Sequence, residues 1–229
     1  MLLVDFLIQD GWLKTERIIN AFKEIKRKDF LPEEVGGLAE LNEALPIGFR
    51  QTISQPLVVA FMLEFLQPKE GEKILDVGSG SGWTSALLAD IISQKRNPKS
   101  QYPNPNQIQN YKSQIKNGKV IAIELVPELK EFGEKNVSKY GFIENGAVEF
   151  VLGDGSRGYS KEAPYDKILA SASGDKLPDS WTEQLKIGGR IVCPIKSSIW
   201  LFIKKSKNEF EEKEFQGFSF VPLVSNSEK

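Results

Sequence analysis

The chain has 229 residues, with 30 Lys+Arg against 31 Asp+Glu, one Cys, two Met and no His. Its length and 40% apolar content suit one soluble globular domain, and a formal net charge of −1 supplies no global pull toward nucleic acid or an anionic membrane. The missing histidine excludes a Ser-His-Asp or Cys-His unit, an HExxH zinc site and an imidazole acid or base, while a single cysteine excludes an intrachain disulfide and suggests a reducing compartment.

The opening stretch MLLVDFLIQD is apolar, but Asp5 and Asp10 interrupt it and no basic segment leads it. It therefore predicts neither a signal peptide nor a membrane span, and the protein is expected in the cytoplasm. Thr15 is placed to cap a helix whose apolar positions Ile18, Ile19, Phe22 and Ile25 have helical spacing. Pro56, preceded by the hydroxyls of Thr52 and Ser54, suits the first turn of a helix that continues over 58–66. Apolar runs at 73–77, 120–124, 147–152, 167–170 and 190–195 then alternate with helical stretches around 84–92, 127–140 and 177–185. This βαβα rhythm predicts an α/β fold with a mainly parallel sheet and helices on both faces. Runs at 199–204 and 217–224 read as added edge strands, and KNEFEEKEF between them reads as a hairpin tip or solvated edge.

Residues 94–118 stand apart. They hold Pro98, Pro103 and Pro105, many Asn and Gln, no acid, and the bases Lys95, Arg96, Lys99, Lys112 and Lys116. Without them the chain carries 25 basic and 31 acidic residues, a net of −6. So few apolar groups do not offset the entropy of ordering, so a mobile, basic insertion within one domain (1–229) is expected. A basic tether for RNA or an acidic partner is the alternative.

The segment ILDVGSGSGW puts Gly78, Ser79 and Gly80 after an apolar strand and before a helix, where exposed amides and a sharp turn admit a ligand. Trp83 stands where a dinucleotide fingerprint has its third glycine. Asp76, two residues before the loop, suits an ammonium better than a pyrophosphate. Glu124 ends the next strand, where an acid accepts from ribose hydroxyls, but it lies 46 residues after Gly78 instead of the expected ~20. Removing the 25-residue insertion leaves 21, which accounts for the misfit. Asp154 and Gly155 follow the third strand, with Asp154 placed to accept from an adenine amino group. Acids at three successive strand ends around one glycine loop fit S-adenosylmethionine better than NAD or ATP. Taken singly each has a plainer reading, since Asp-Gly is a common turn pair.

The upstream ALPIGFRQTISQPLVVAFMLEFL, with GEKILDVG, GDGSRGYSKEAPYDKI, LKIGGRIVCPI and FVPL, resembles the protein-L-isoaspartate O-methyltransferases from about Leu13 to Val224. The IGF-x-x-TIS-x-P element is quite specific to that family. The resemblance implies a Rossmann-like class I methyltransferase with a small N-terminal helical region (1–50). It implies methyl transfer from S-adenosylmethionine to the α-carboxylate of L-isoaspartyl residues in damaged proteins, with S-adenosylhomocysteine as product and no metal. It places Ser54 at the reaction centre, Ile47, Gly48 and Phe49 in the isoaspartyl pocket, and FVPL, including Val221, against that pocket. Thr52, Ile53 and Leu125 join the cofactor site on the same grounds. The expected partner is an isoaspartyl polypeptide met by a monomer. Another acceptor, small molecule or RNA, and a non-catalytic cofactor-binding protein are the rival readings.

A carboxylate acceptor with a pKa near ~3.9 is already ionised at neutral pH, so the reaction needs neither imidazole nor thiol. Ser54 then serves as a hydrogen-bond donor, with a helix cap ahead of Pro56 as the plainer alternative. Arg50 stands where the family pattern has a neutral residue; it either holds the acceptor carboxylate or faces solvent. Ser171 and Ser173 depart from the pattern after the fourth strand and leave the width of the peptide cleft open. Cys193 reads as a buried core residue. Trp83 packs beside the cofactor loop or in the core.

Overall fold

The computed structural model describes residues 2–93 and 118–223. The insertion at 94–118 therefore lies outside the described residues except for Gly118. Two short helices, α1 (Leu3–Gln9) and α2 (Glu16–Glu24), and two 3₁₀ turns lead to a hairpin of β1 (Leu45–Gly48) and β2 (Gln51–Ile53). Helix α3 (Pro56–Leu66) follows. Then β3 (Lys73–Val77), α4 (Trp83–Ile92), β4 (Lys119–Glu124), α5 (Pro127–Ser138), β5 (Val148–Leu152), β6 (Tyr165–Ala170), α6 (Asp179–Gln184) and β7 (Leu185–Ile195) alternate as the sequence predicts. Strands β8 (Ser198–Lys204) and β9 (Phe210–Gln216) return antiparallel.

The seven-stranded sheet has the order β5-β4-β3-β6-β7-β8-β9, parallel from β5 to β7. The chain works outward from β3 to one side and then crosses to β6 on the other. Loops diverge at that reversal and leave a crevice beyond the C-terminal ends of β3, β4 and β6. Alternation along the strands divides the core between the two faces. Ile74, Val120, Ala122, Phe150 and Leu169 pack with α2, α3, α4 and α5, whereas Leu75, Val77, Ile121, Ile123 and Ile168 pack with Trp181 of α6 and with Cys193. Both faces carry helices, but among the described residues one face carries most of them. Asp76 shares the face of Ile74, beside the start of α4.

Three expectations change. Thr15 precedes α2 but does not cap it by its side chain; the hydroxyl donates to Glu64 on α3 at 2.6 Å, and that carboxylate also accepts from the amides of Lys14 and Thr15. Glu64 thereby ties α2 to α3. Helix α3 is entered through Gln55 and Pro56, and its exposed amide at Leu57 is bonded by Asn42 Oδ1 at 3.0 Å. The cap role open to Ser54 is thus filled from elsewhere. Residues 217–223 form no edge strand, because KNEFEEKEF supplies β9 and the chain then crosses back over the crevice; Val224 lies outside the described residues. In that crossing the Ser173 amide donates to the Val221 carbonyl and the Leu223 amide to the Ser173 carbonyl, each at 2.8 Å.

Candidate active site

The crevice holds a cavity of about 680 Å³. One wall comes from the hairpin and the start of α3, the floor from the glycine loop and the ends of β3 and β4, and the far wall from Ser171, Ala172 and residues 219–223. Ser54, Thr52, Ile53, Ile47, Gly78, Ser79, Gly80, Glu124, Leu125, Gly155 and Val221 all line it. Asp76, Asp154, Gly48, Phe49 and Arg50 stand outside that lining.

The glycine loop is not an anion cradle. The amides of Gly78 and Ser79 donate to the Ile123 carbonyl (2.9 and 3.1 Å), Gly80 to Glu124 Oε2 (2.8 Å) and Gly82 to the Ser79 carbonyl (2.8 Å). With these four amides engaged inside the protein, the loop offers a diphosphate little of what a phosphate-binding loop must present. Gly82, at φ +85°, also lets the loop lie on α5: a Cβ there meets the Gly133 carbonyl and Val137 at 2.8 Å. This contact supplies the close helix packing that a dinucleotide fingerprint obtains from its third glycine.

Glu124 is buried at the cavity floor. Its Oε1 accepts from the amides of Leu125 (2.9 Å) and Val126 (3.0 Å), and Oε2 from Gly80. A carboxylate has about four acceptor positions, so three amides fix its orientation and leave capacity for a vicinal diol. Asp76 is fully buried below the loop. Its Oδ2 accepts from Thr84 (2.9 Å) and Ser85 (2.6 Å), while Oδ1 is buried without a hydrogen-bond partner. Desolvation pushes its pKa up to about 6; the two hydroxyl donors oppose that shift and the nearby charge of Glu124 adds to it. An unmatched acceptor beside the loop suits a cationic group, as a methionine-type ammonium is. Asp154 instead spends Oδ1 on the amide and hydroxyl of Ser156 (3.0 and 2.6 Å) and caps a 3₁₀ turn, the plainer of its two readings.

Ser54 lines the cavity between β2 and α3, and its carbonyl accepts from Arg27 Nη2 at 3.2 Å. Phe49 and Arg50 form the two-residue tip of the hairpin, both with positive φ (53° and 59°), and both side chains are exposed. Neither is the Asn or Gly that such a turn favours, so the sequence carries no signal for it. Ser171 and Ala172 form cavity wall, whereas Ser173 anchors the crossing segment, with its hydroxyl donating to the Lys196 carbonyl at 2.9 Å. Cys193 is buried in the sheet and burial raises its thiol far above the ordinary range, so it is no nucleophile. Trp83 does both things open to it: it is 3% exposed and lines the cavity. Sequence reasoning missed Gln55, Val58 and Arg27, which sit among ordinary helix and surface patterns.

The model of the protein-L-isoaspartate(D-aspartate) O-methyltransferase family matches residues 1–228. The chain belongs to that family. A protein-L-isoaspartate O-methyltransferase of Methanopyrus kandleri is 35% identical over 97% of this chain and 89% of its own length, and one of Aeropyrum pernix is 38% identical over 97% and 78%. A solved Plasmodium falciparum structure, described as a protein-L-isoaspartate O-methyltransferase in complex with S-adenosyl-L-homocysteine, superposes with a TM-score of 0.79 at 22% identity, covering 98% of this chain and 97% of that one. It shares the fold. A further solved protein-L-isoaspartate O-methyltransferase gives the same TM-score at 26% identity, covering 98% of this chain and 65% of that one.

Proposed function

We propose that the protein methylates the α-carboxylate of L-isoaspartyl residues in damaged polypeptides, with S-adenosylmethionine as methyl donor. The observation that carries this is one cavity in which Ser54, on the acceptor wall, shares space with the Glu124 floor below a loop whose amides are already bonded. S-adenosylmethionine supplies, when bound, a sulfonium methyl that departs from a neutral thioether. Glu124 would hold the ribose hydroxyls, Asp76 Oδ1 the ammonium, and Ser79 Oγ, buried without a partner, a further polar group of the same ligand.

No acid or base chemistry falls to the protein, because acceptor and leaving group need no proton. The chain's contribution is orientation and exclusion of water, effects that reach roughly 7–11 kcal/mol in well-aligned systems. Ser54 Oγ makes no hydrogen bond among the described residues and is available to donate to one oxygen of the acceptor, leaving the other aligned for attack. Ile47, Phe220 and Val221 give that carboxylate an apolar surround. Arg50 and Phe49, exposed at the hairpin tip, meet residues flanking the isoaspartate. The reading includes a single domain built on one continuous sheet, acting as a monomer in the cytoplasm on protein substrates. Among the described residues no helix is long and apolar enough to cross a membrane, and no cluster of acids and thiols suits a metal ion.

The test is incubation with labelled S-adenosylmethionine and matched isoaspartyl and aspartyl peptides. Base-labile label is expected on the isoaspartyl peptide alone; no label on either overturns the reading. Ser54→Ala is expected to lower kcat by about 10²-fold, the scale for one lost oxyanion donor. Unchanged turnover would remove Ser54 from the reaction.

A further inference from the structure

Arg27 opens the 3₁₀ turn Arg27–Phe30 and is 5% exposed. Its Nη1 donates to the carbonyls of Ala39 (3.1 Å) and Leu41 (3.0 Å), and its Nη2 to those of Glu43 (2.7 Å) and Ser54 (3.2 Å). The guanidinium carbon lies 5.4 Å from the centroid of the Trp83 ring, and Nε is buried without a partner. Among the described residues its hydrogen-bond partners are all neutral main-chain oxygens, and the charge of Glu40 also acts on it. Burial nonetheless lowers its pKa, to about 10, which leaves it charged at neutral pH.

A buried cation is costly to keep unless its position does something that packing alone does not. Here the two groups it joins lie on different walls of one cavity. Trp83 begins α4 directly after the glycine loop, and Ser54 belongs to the acceptor wall. The planar fork reaches two carbonyls from each terminal nitrogen while its central carbon lies over the indole, a set of contacts that a lysine ammonium does not reproduce. Its charge also has the sign that favours a carboxylate nearby. We propose that Arg27 is a positioning residue for methyl transfer, holding the Ser54 segment at a set distance from the cofactor wall through Trp83. This rests on reading Ser54 as the donor to the acceptor carboxylate. In-line transfer depends steeply on such spacing, since a displacement of about 1 Å costs on the order of 10²-fold in rate.

The test is a double-mutant cycle of Arg27→Lys and Ser54→Ala, measuring kcat and KM on an isoaspartyl peptide and the Kd of S-adenosylhomocysteine. Arg27→Lys keeps the charge and most of the volume, so it tests geometry with the least risk to folding. We expect kcat to fall by about tenfold or more, with the Kd of S-adenosylhomocysteine within about threefold of wild type. In the Ser54→Ala background the same change is expected to alter kcat by less than about twofold, because the group it positions is already gone. Additive losses would overturn the proposal, as would an unchanged kcat or a loss of cofactor affinity in step with kcat. The wild-type control separates these from the larger failure: no methyl ester there overturns the activity itself.

Discussion

Asp76 carries a conflict between burial and charge. Below about pH 3.8 its carboxyl is protonated in the folded and the unfolded chain alike, and the native state bears no charge penalty. As pH rises the unfolded chain releases its proton first, and the native state follows only near pH 6, so stability falls across that window by about 3 kcal/mol. Asp76→Asn removes the titration. The melting temperature of wild type minus that of the variant is therefore expected to drop by several degrees between about pH 4 and about pH 7.5. A difference that stays constant across that range would dismiss this account. Legibility at this scale followed chemistry that the sequence pattern itself displays. Glu124 was legible because strand-end acids around a glycine loop have a characteristic spacing once 94–118 is set aside. Arg27 was not, because it sits between Lys26 and Lys28 in a run that reads as solvated surface, and only folding shows which of three bases turns inward. Asp154 was legible as an acid at a strand end, but its neighbour Ser156 claims one oxygen.

The element that completes the cavity is the crossing segment at 217–223, and α3 is what it leans on. Phe61, midway along α3, meets Phe218 at 5.2 Å, Phe215 of β9 at 5.0 Å, Phe65 at 4.7 Å and Trp12 at 6.1 Å between ring centroids. This cluster couples the helix that begins beside Ser54 to the segment that forms the opposite wall. Phe218→Ala is expected to lower stability by about 1–2 kcal/mol, since the ring is only half-buried. It should raise KM for an isoaspartyl peptide several-fold, with kcat within about threefold of wild type. Steady-state kinetics beside a denaturant titration checks it, and an unchanged KM would detach the cluster from substrate binding. The sequence misread this segment as a strand because alternating apolar residues describe any extended chain; strand status needs a paired neighbour, and here a single bridge to Ser173 is all that forms. The strands of the sheet were legible for the converse reason. Their apolar runs are buried on both faces, as a central parallel strand requires.

Across the whole molecule the alternation of strand and helix was legible end to end, because each element buries an apolar face at its own period. The positions of the N-terminal helices were not, since they depend on contacts such as Thr15 with Glu64, 49 residues apart. The insertion bears on the whole molecule as well. A Cβ on Gly118 would lie 2.7 Å from the Cβ of Ile92, so the chain re-enters the sheet beside the point where it left α4. Replacing 94–117 with a short Gly/Ser linker is therefore expected to leave the melting temperature within a few degrees and kcat within about twofold, because loop closure depends only weakly on length. A collapse of either, read by thermal melting and methylation rate, would give the insertion a structural part.

The cavity also has a temporal order. Its lining starts at Ala44 and finishes at Leu223, so it draws on nearly the full length of the described chain. A polypeptide leaves the ribosome N-terminus first, and a domain folds as a unit. The far wall at residues 219–223 is therefore the last part of the lining to be made. A chain that stopped short of residue 219 would lack that wall, so the cavity is complete only once nearly the whole described chain has been synthesised.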